Sequence, residues 1–289
     1  MIGSSSKILG IDFNFSALIW SVFFSTISIL GLYWFGFLFF KDENLAFFNT
    51  LLLFSFPFSF YFSMFYSEAA YFSFMIFSFL SIYYKRYFSL TLLLIPLILL
   101  RPNGIVVMLP LYIYHLEQNG ILKNLKINLK DFLSQRNIKQ SIFFISGPLA
   151  FLLYCIYQYK MTGFYFAFSI AQDGWYREFM FPILSFFRSG DFATQFNSIY
   201  TILIIVFAIC FRKRLPISLN VLVFFSLLLP LCSGSIISMP RFISVIFPLF
   251  LIISLQANLL KIKYIILILI LLLHFTTFYW WITNNPISF

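Results

Sequence analysis

Three ionisable side chains stand where charge is costly. Glu68 lies in Phe65-Tyr66-Ser67-Glu68-Ala69, Arg101 in Arg101-Pro102-Asn103-Gly104 and Arg241 in Ser238-Met239-Pro240-Arg241, each between long apolar runs. An ionisable group at the centre of an apolar helix costs about 2.5–3.5 kcal/mol, so such groups are expected to pair or to serve a site. One Glu and two Arg residues thus converge on one face, which reads by default as a functional site. A purely structural ion pair of Glu68 with Arg101 or Arg241 is the plainer alternative.

A second polar group, Gln172-Asp173-Gly174-Trp175-Tyr176-Arg177-Glu178, mixes amide, acid and guanidinium with aromatic rings. Such a mixture suits a sugar or a phosphate headgroup at a membrane surface. It also suits an amphipathic belt helix, because Trp and Tyr are enriched at interfaces. HExxH, a Cys/His cluster, a P-loop and a Ser-His-Asp set are all lacking, so no resident cofactor is expected and no metal-ligating residue is singled out, while a need for metal stays open. His115 is expected at the interface, and His274 in one helix-to-helix hydrogen bond. Cys155, Cys210 and Cys232 lie in apolar runs and read as small hydrophobes.

The elements that must position these residues follow from composition. Only 10% of the 289 residues are charged, while 62% are hydrophobic and 44 are Phe; a soluble domain carries about 25% charged residues. A soluble interior is too small to hide so many rings, which excludes an ordinary cytosolic enzyme and equally a collagen, disordered or disulfide-scaffold chain. Lys and Arg divide the chain into ten apolar blocks, 13–40, 44–66, 69–84, 87–100, 105–116, 141–159, 192–211, 215–232, 242–260 and 264–283. With about 20 residues needed per crossing, and with no linker or repeat, one all-α multi-spanning membrane domain over 1–289 is expected, with short re-entrant turns on its outer side.

The blocks flanking Arg101 have 14 and 12 residues, which reach about 21 and 18 Å against a hydrocarbon core of about 30 Å. Arg101 is therefore expected below the outer surface. Pro102 disfavours helix at Arg101 and Gly104 permits an irregular turn, and broken backbone at membrane depth is tolerated where it lines a cavity.

Orientation follows from the positive-inside rule. Lys41, Lys85, Arg86, the 117–139 loop with Lys123, Lys126, Lys130, Arg136 and Lys139, then Arg212 to Arg214, Lys261 and Lys263 make 13 of the 19 basic residues. Lys7, Arg101, Lys160, Arg177, Arg188 and Arg241 form the opposite set of six. The first set is read as cytoplasmic, and the net charge of +10 as a topology signal and an attraction to anionic lipid, not to nucleic acid. The 117–139 loop, with Leu122, Leu125, Leu129 and Leu133 between its lysines, is expected as a surface helix on lipid. The 160–191 stretch is read as an outer interfacial loop. On this topology the chain starts outside without a signal peptide, and an upstream segment is expected to be missing.

These residues resemble a known family. Phe56-Pro57 followed by Phe62-Ser63-Met64-Phe65-Tyr66-Ser67-Glu68 is similar to the "FP…S…YSES" signature of the PIG-V-like membrane mannosyltransferases, among them the enzyme that adds the second mannose of GPI anchors. Leu100-Arg101-Pro102-Asn103-Gly104 resembles their "R(S/P)NG" turn; Gly163-Phe164 through Phe168, Gln172 and Trp175 resemble their "G…aF…aQ…W" loop; Pro240-Arg241-Phe242 through Phe247-Pro248 resembles their late "(P)R(Y/F)…FP" segment. The likeness covers roughly residues 50–255.

The resemblance implies a GT-C type glycosyltransferase of about ten transmembrane helices. Its donor is a polyprenyl- or dolichyl-phosphate-linked sugar, its acceptor a glycolipid or glycan hydroxyl. Its site faces the non-cytoplasmic side of a bacterial inner membrane or the lumen of the endoplasmic reticulum. It further implies Arg101 and Arg241 on the donor phosphate, Gln172 and Trp175 on sugar or acceptor, and Glu68 as orienting group or substitute base. Asn103, Asp173 and Arg177 complete the expected substrate contacts. The family's usual base sits in a Trp-Asp motif that this sequence lacks. A transporter or flippase of a lipid-linked or anionic solute, built on the broken helix at Arg101, and a catalytically inactive relative are the alternatives.

Overall fold

The computed structural model describes residues 12–175, 177–187 and 192–283, together with Gly3, Ser6, Lys7 and Gly10. It is 79% helical, and the strands among the described residues are two pairs of residues in one hairpin. The main helices are α1 (Phe13–Phe40), α2 (Glu43–Ser55), α3 (Glu68–Tyr83), α4 (Tyr87–Leu100) and α5 (Gly104–Gln118). The short α6 (Leu129–Phe132) and α7 (Gln135–Ser141) precede α8 (Ser146–Thr162), which the four-residue α9 (Ala167–Ile170) follows. The chain then forms α10 (Phe192–Phe211), α11 (Ile217–Leu231), the short α12 (Met239–Ile243), α13 (Phe247–Leu259) and α14 (Lys263–Ile282).

Among the described residues, four helical stretches are long and apolar enough to cross a membrane: Phe13–Phe40, Gln135–Thr162, Phe192–Arg214 and Lys263–Ile282. The last three present most of their apolar side chains outward, as with Leu149, Leu152 and Leu153 on α8 and Ile265, Ile268, Leu269 and Leu272 on α14. Contiguous apolar surface on this scale calls for lipid or a partner, and the chain is accordingly compatible with a membrane protein. Of the shorter apolar helices, α3 and α13 are largely buried, while α4 and α11 each bury one face and expose apolar side chains on the other. At the centre, Phe247 of α13 meets Phe35 of α1 and Phe79 of α3 edge-on at 5.1 and 5.3 Å, and Phe79 meets Tyr114 of α5 at 5.1 Å.

Two features of this core set the position of Glu68. The buried face of α1 is a stripe of small residues, Ser21, Ser25, Ser28 and Gly31, which allows close helix approach. Its hydroxyls donate across the gap: Ser21 to the Met64 carbonyl at 2.8 Å, Ser25 to that of Phe62 at 2.7 Å and Ser28 to that of Ala69 at 3.1 Å. They fasten the chain on both sides of Glu68 to one rigid helix. The second feature is a break in the block expected as one span over 44–66. Here α2 stops at Ser55, Phe56 is extended, Phe58 is left-handed (φ 65°), and a 3-10 turn follows at Ser59–Ser63. Pro57 supplies no amide hydrogen and disfavours helix at Phe56, so the apolar run continues while the helix does not. His274 of α14 meets the Phe56 carbonyl oxygen at 2.9 Å, so the one bond expected of it goes to the break after α2 and not to a helix.

The basic segment after α5 also departs from expectation. It is not a single surface helix but a β-hairpin, Leu122–Lys123 paired with Lys126–Ile127, followed by α6 and α7. Asn124 and Leu125 both have positive φ at the tip, as a tight hairpin turn demands. His115, expected at the interface, is fully buried, because α7 folds back over it. The Tyr87 hydroxyl lies 2.9 Å from its Nδ1 and the Asn137 side-chain oxygen 2.8 Å from its Nε2.

Next along α5, Glu117 caps α11 from a distance of 100 residues in sequence. One carboxylate oxygen accepts the amide hydrogens of Ile217 (2.8 Å) and Ser218 (3.3 Å), and the other accepts the Ser218 hydroxyl. A carboxylate at a helix N-terminus satisfies its free amides and opposes its dipole. Replacement Glu117→Ala is expected to cost about 1–2 kcal/mol, the usual worth of an N-cap, read as a lowered unfolding temperature in detergent. Because α5 and α11 form the walls of the cavity described next, that loss loosens the site as well.

Candidate functional site

Three breaks between the helices supply the charged groups. Glu68 opens α3, Arg101 is the residue after α4, Asn103 precedes α5 and Arg241 sits in α12 between α11 and α13. Arg101 is extended (φ −147°, ψ 125°), the conformation favoured before a proline. The Gly104 amide then donates back to its carbonyl at 2.7 Å. This hairpin is so tight that a β-carbon on Gly104 would stand 2.6 Å from the Leu97 carbonyl oxygen. Backbone cannot yield as a side-chain tip does, so Gly104→Ala is expected to destabilise by about 1–3 kcal/mol, as overpacking does. The check is a lowered unfolding temperature in detergent.

Within this frame Glu68 is fully buried, and one of its oxygens, Oε1, forms ion pairs with both guanidiniums. The Arg101 Nη2 and the Arg241 Nε approach it, the latter at 3.2 Å. Neither approach is aligned as a hydrogen bond, and among the described residues Glu68 Oε2 and Arg241 Nε have no hydrogen-bond partner. Buried polar atoms are nearly always satisfied, and this cluster therefore retains unused capacity to accept and donate. Arg101 is further held by its Nε donating to the Ser67 hydroxyl oxygen at 2.9 Å. Aromatic faces supply the rest: Arg241 lies over Tyr61, Tyr66 and Phe242 at 5.4, 5.1 and 5.3 Å, and Arg101 over Tyr71 and Phe242 at 5.2 and 5.8 Å. Such faces favour a cation, more so when water is excluded.

The 160–191 stretch is not a continuous belt helix. It holds α9 and 3-10 turns at Asp173–Trp175 and Pro182–Phe187. Its inner part is tied to α8, where the Gln158 side-chain oxygen accepts the Phe168 amide hydrogen at 3.0 Å. A double link from Arg177 to Gln172 closes the 172–177 loop: amide to carbonyl at 3.1 Å and Nη1 to side-chain oxygen at 3.0 Å. Burial and then the like charge of Arg241 hold the Arg177 guanidinium below its ordinary value. The loop thus brings a third guanidinium within electrostatic reach of the buried pair.

Glu68, the three guanidiniums, Gln172 and the rings of Tyr66, Tyr71 and Phe242 line one cavity of about 850 Å³. Of the residues singled out in sequence, Glu68, Arg101, Arg241, Asn103, Gln172, Asp173 and Arg177 line it. The Trp175 side chain, with Tyr176, Arg188 and Asp191, lies outside the described residues. With Glu68 and its two guanidiniums taken as the floor of this cavity, α5 and α11 supply walls. Val106, Val107 and Pro110 line one wall, Leu222, Phe225, Ser226, Leu229 and Pro230 the other. These spacings of three and four put each set on one helix face, a trough about 12 Å long on the α11 side and about 6 Å on the α5 side at 1.5 Å per residue. Pro110 and Pro230 lie inside their helices, where a proline frees the carbonyl four residues back; here those carbonyls belong to Val106 and Ser226.

Sequence reasoning did not single out Tyr61, Tyr66, Tyr71 or Phe242 as partners of the guanidiniums. Among 44 Phe and 17 Tyr nothing marked them beyond the proximity of Tyr66 and Phe242 to Glu68 and Arg241. Among the described residues no three His, Cys, Asp or Glu side chains gather to hold a metal ion. Comparison with family models, with curated proteins and with solved structures gives no match.

Proposed function

We propose that the chain is a multi-pass membrane glycosyltransferase of the GT-C kind. It moves a sugar, in the first instance mannose, from a polyprenyl- or dolichyl-phosphate donor to an acceptor hydroxyl on the non-cytoplasmic face. The observation that carries this proposal is the electrostatics of the cavity floor. Two guanidiniums share one carboxylate, leaving one net positive charge beside an apolar trough. A lipid phosphate has the matching parts, an anionic head and an apolar tail. The floor holds the phosphate and stabilises the negative charge that grows on it as the sugar departs. The trough takes the first part of the tail.

The rim agrees with a substrate that arrives from lipid. Phe179 and Phe187 on the outer loop are 91% and 79% exposed, and rings so presented are at home in the headgroup layer. In this proposal the ten apolar blocks form about ten crossings, the shorter ones completed by the outer turns. The likeness to PIG-V-like mannosyltransferases points the same way, and the membrane is a bacterial inner membrane or the endoplasmic reticulum. The test is incubation of membranes containing the expressed chain with radiolabelled polyprenyl-phosphate-mannose. Label is expected in a glycosidic product only when the chain is present; unchanged donor alone refutes the proposal.

A transporter of a lipid-linked or anionic solute is the second reading. It is favoured by the two broken apolar segments, Phe56–Ser63 and Arg101–Gly104, since discontinuous helices commonly form transport sites.

A further inference from the structure

Transfer to a hydroxyl needs a group to take its proton. We propose that Asp173, not Glu68, is that base in this protein. The inference rests on the glycosyltransferase proposal and concerns the same cavity.

Among the described residues three carboxylates line the cavity, Glu68, Asp173 and Glu178. Glu68 is fully buried beneath two guanidiniums. With no exposed surface, this carboxylate is not open to an acceptor hydroxyl, and both guanidiniums rest on one of its oxygens. Its role is to position them. Glu178 already has an interaction of its own. Asp173 is different: it is solvent-exposed, it lines the cavity, and among the described residues it has neither hydrogen bond nor ion pair. It is nevertheless held in place, because the double link between Arg177 and Gln172 closes the loop around it. A free carboxylate on the rim and guanidiniums on the floor give the two ends that an in-line displacement needs.

The step balances as follows. Asp173 takes the proton of the acceptor hydroxyl while that oxygen bonds to the anomeric carbon. The bond from this carbon to the phosphate oxygen breaks, and its electron pair leaves on the lipid phosphate. The negative charge of Asp173 has thus moved in effect to the phosphate, on the floor lined by Arg101 and Arg241. The sugar is transferred with inversion.

The experiment measures initial rates of transfer from radiolabelled polyprenyl-phosphate-mannose in membranes carrying the chain, across a range of pH. Asp173→Asn is expected to lower the rate by about 10²–10⁴-fold, the worth of a general base. The acid limb of the pH profile should vanish with it, while the unfolding temperature and the donor KM stay as in the unaltered chain. Asp173→Ala with added formate should regain part of the rate, which a merely structural loss would not. Transfer by Asp173→Asn within about threefold of the unaltered chain, or loss without formate rescue and with the acid limb intact, overturns the assignment while transfer itself stands. No chain-dependent product from the unaltered protein overturns both this assignment and the function on which it rests.

Discussion

Replacing Glu68 with Ala is expected to destabilise the protein by about 3–5 kcal/mol, the cost of removing one partner from a buried ion pair. The side chain has no exposure of its own, while those of Arg101 and Arg241 are 18% and 22% exposed. Without Glu68 the two guanidiniums repel across the Phe242 ring that both face, though the cavity lets them gain some water. The effect therefore belongs near the lower end of that range. It is read as a fall in unfolding temperature in detergent, and the double replacement Glu68→Ala with Arg241→Gln is expected to recover part of it. A loss in the double variant equal to the sum of the losses in the two single variants would show that the three charges are not coupled.

Replacing Arg241 with Ala is expected to lower sugar transfer by about 10²–10³-fold, as does the loss of one group that stabilises a developing anion. Arg101→Ala is expected to act in the same sense. Each variant leaves Glu68 one guanidinium partner, so the fold is expected to persist in both. Arg241→Lys should restore little, because a lysine cannot spread a planar cation over Tyr61, Tyr66 and Phe242 together. Initial rates at saturating donor check this, with thermal unfolding as the control for folding.

Much of this arrangement was legible in the sequence because charge is so scarce. The blocks 13–40, 87–100 and 192–211 are helices with those bounds, since Asp12, Lys41, Arg86 and Arg101 mark ends where an apolar run stops. Glu68, Arg101 and Arg241 were marked by their cost in apolar surroundings, and they meet. The break after Ser55 was less legible: hydropathy runs on through Phe56-Pro57, while helix formation depends on a single missing amide hydrogen. The basic hairpin was hidden by lysines and leucines at helical spacing. Leu125 takes a left-handed turn position (φ 63°) that its own preferences oppose, and the cross-strand pairing overrides them. The burial of His115 depends on α7 folding back, a long-range contact that no local pattern encodes. The free state of Asp173 is likewise a property of three carboxylates seen together.

The most direct measurement follows both halves of the donor in liposomes containing the purified protein and radiolabelled polyprenyl-phosphate-mannose. Release of polyprenyl phosphate in step with a mannosylated product, at equal rates and lost together in Arg241→Ala, is the predicted result. Passage of the donor across the bilayer with its sugar–phosphate bond intact, and with no glycosidic product, would contradict it.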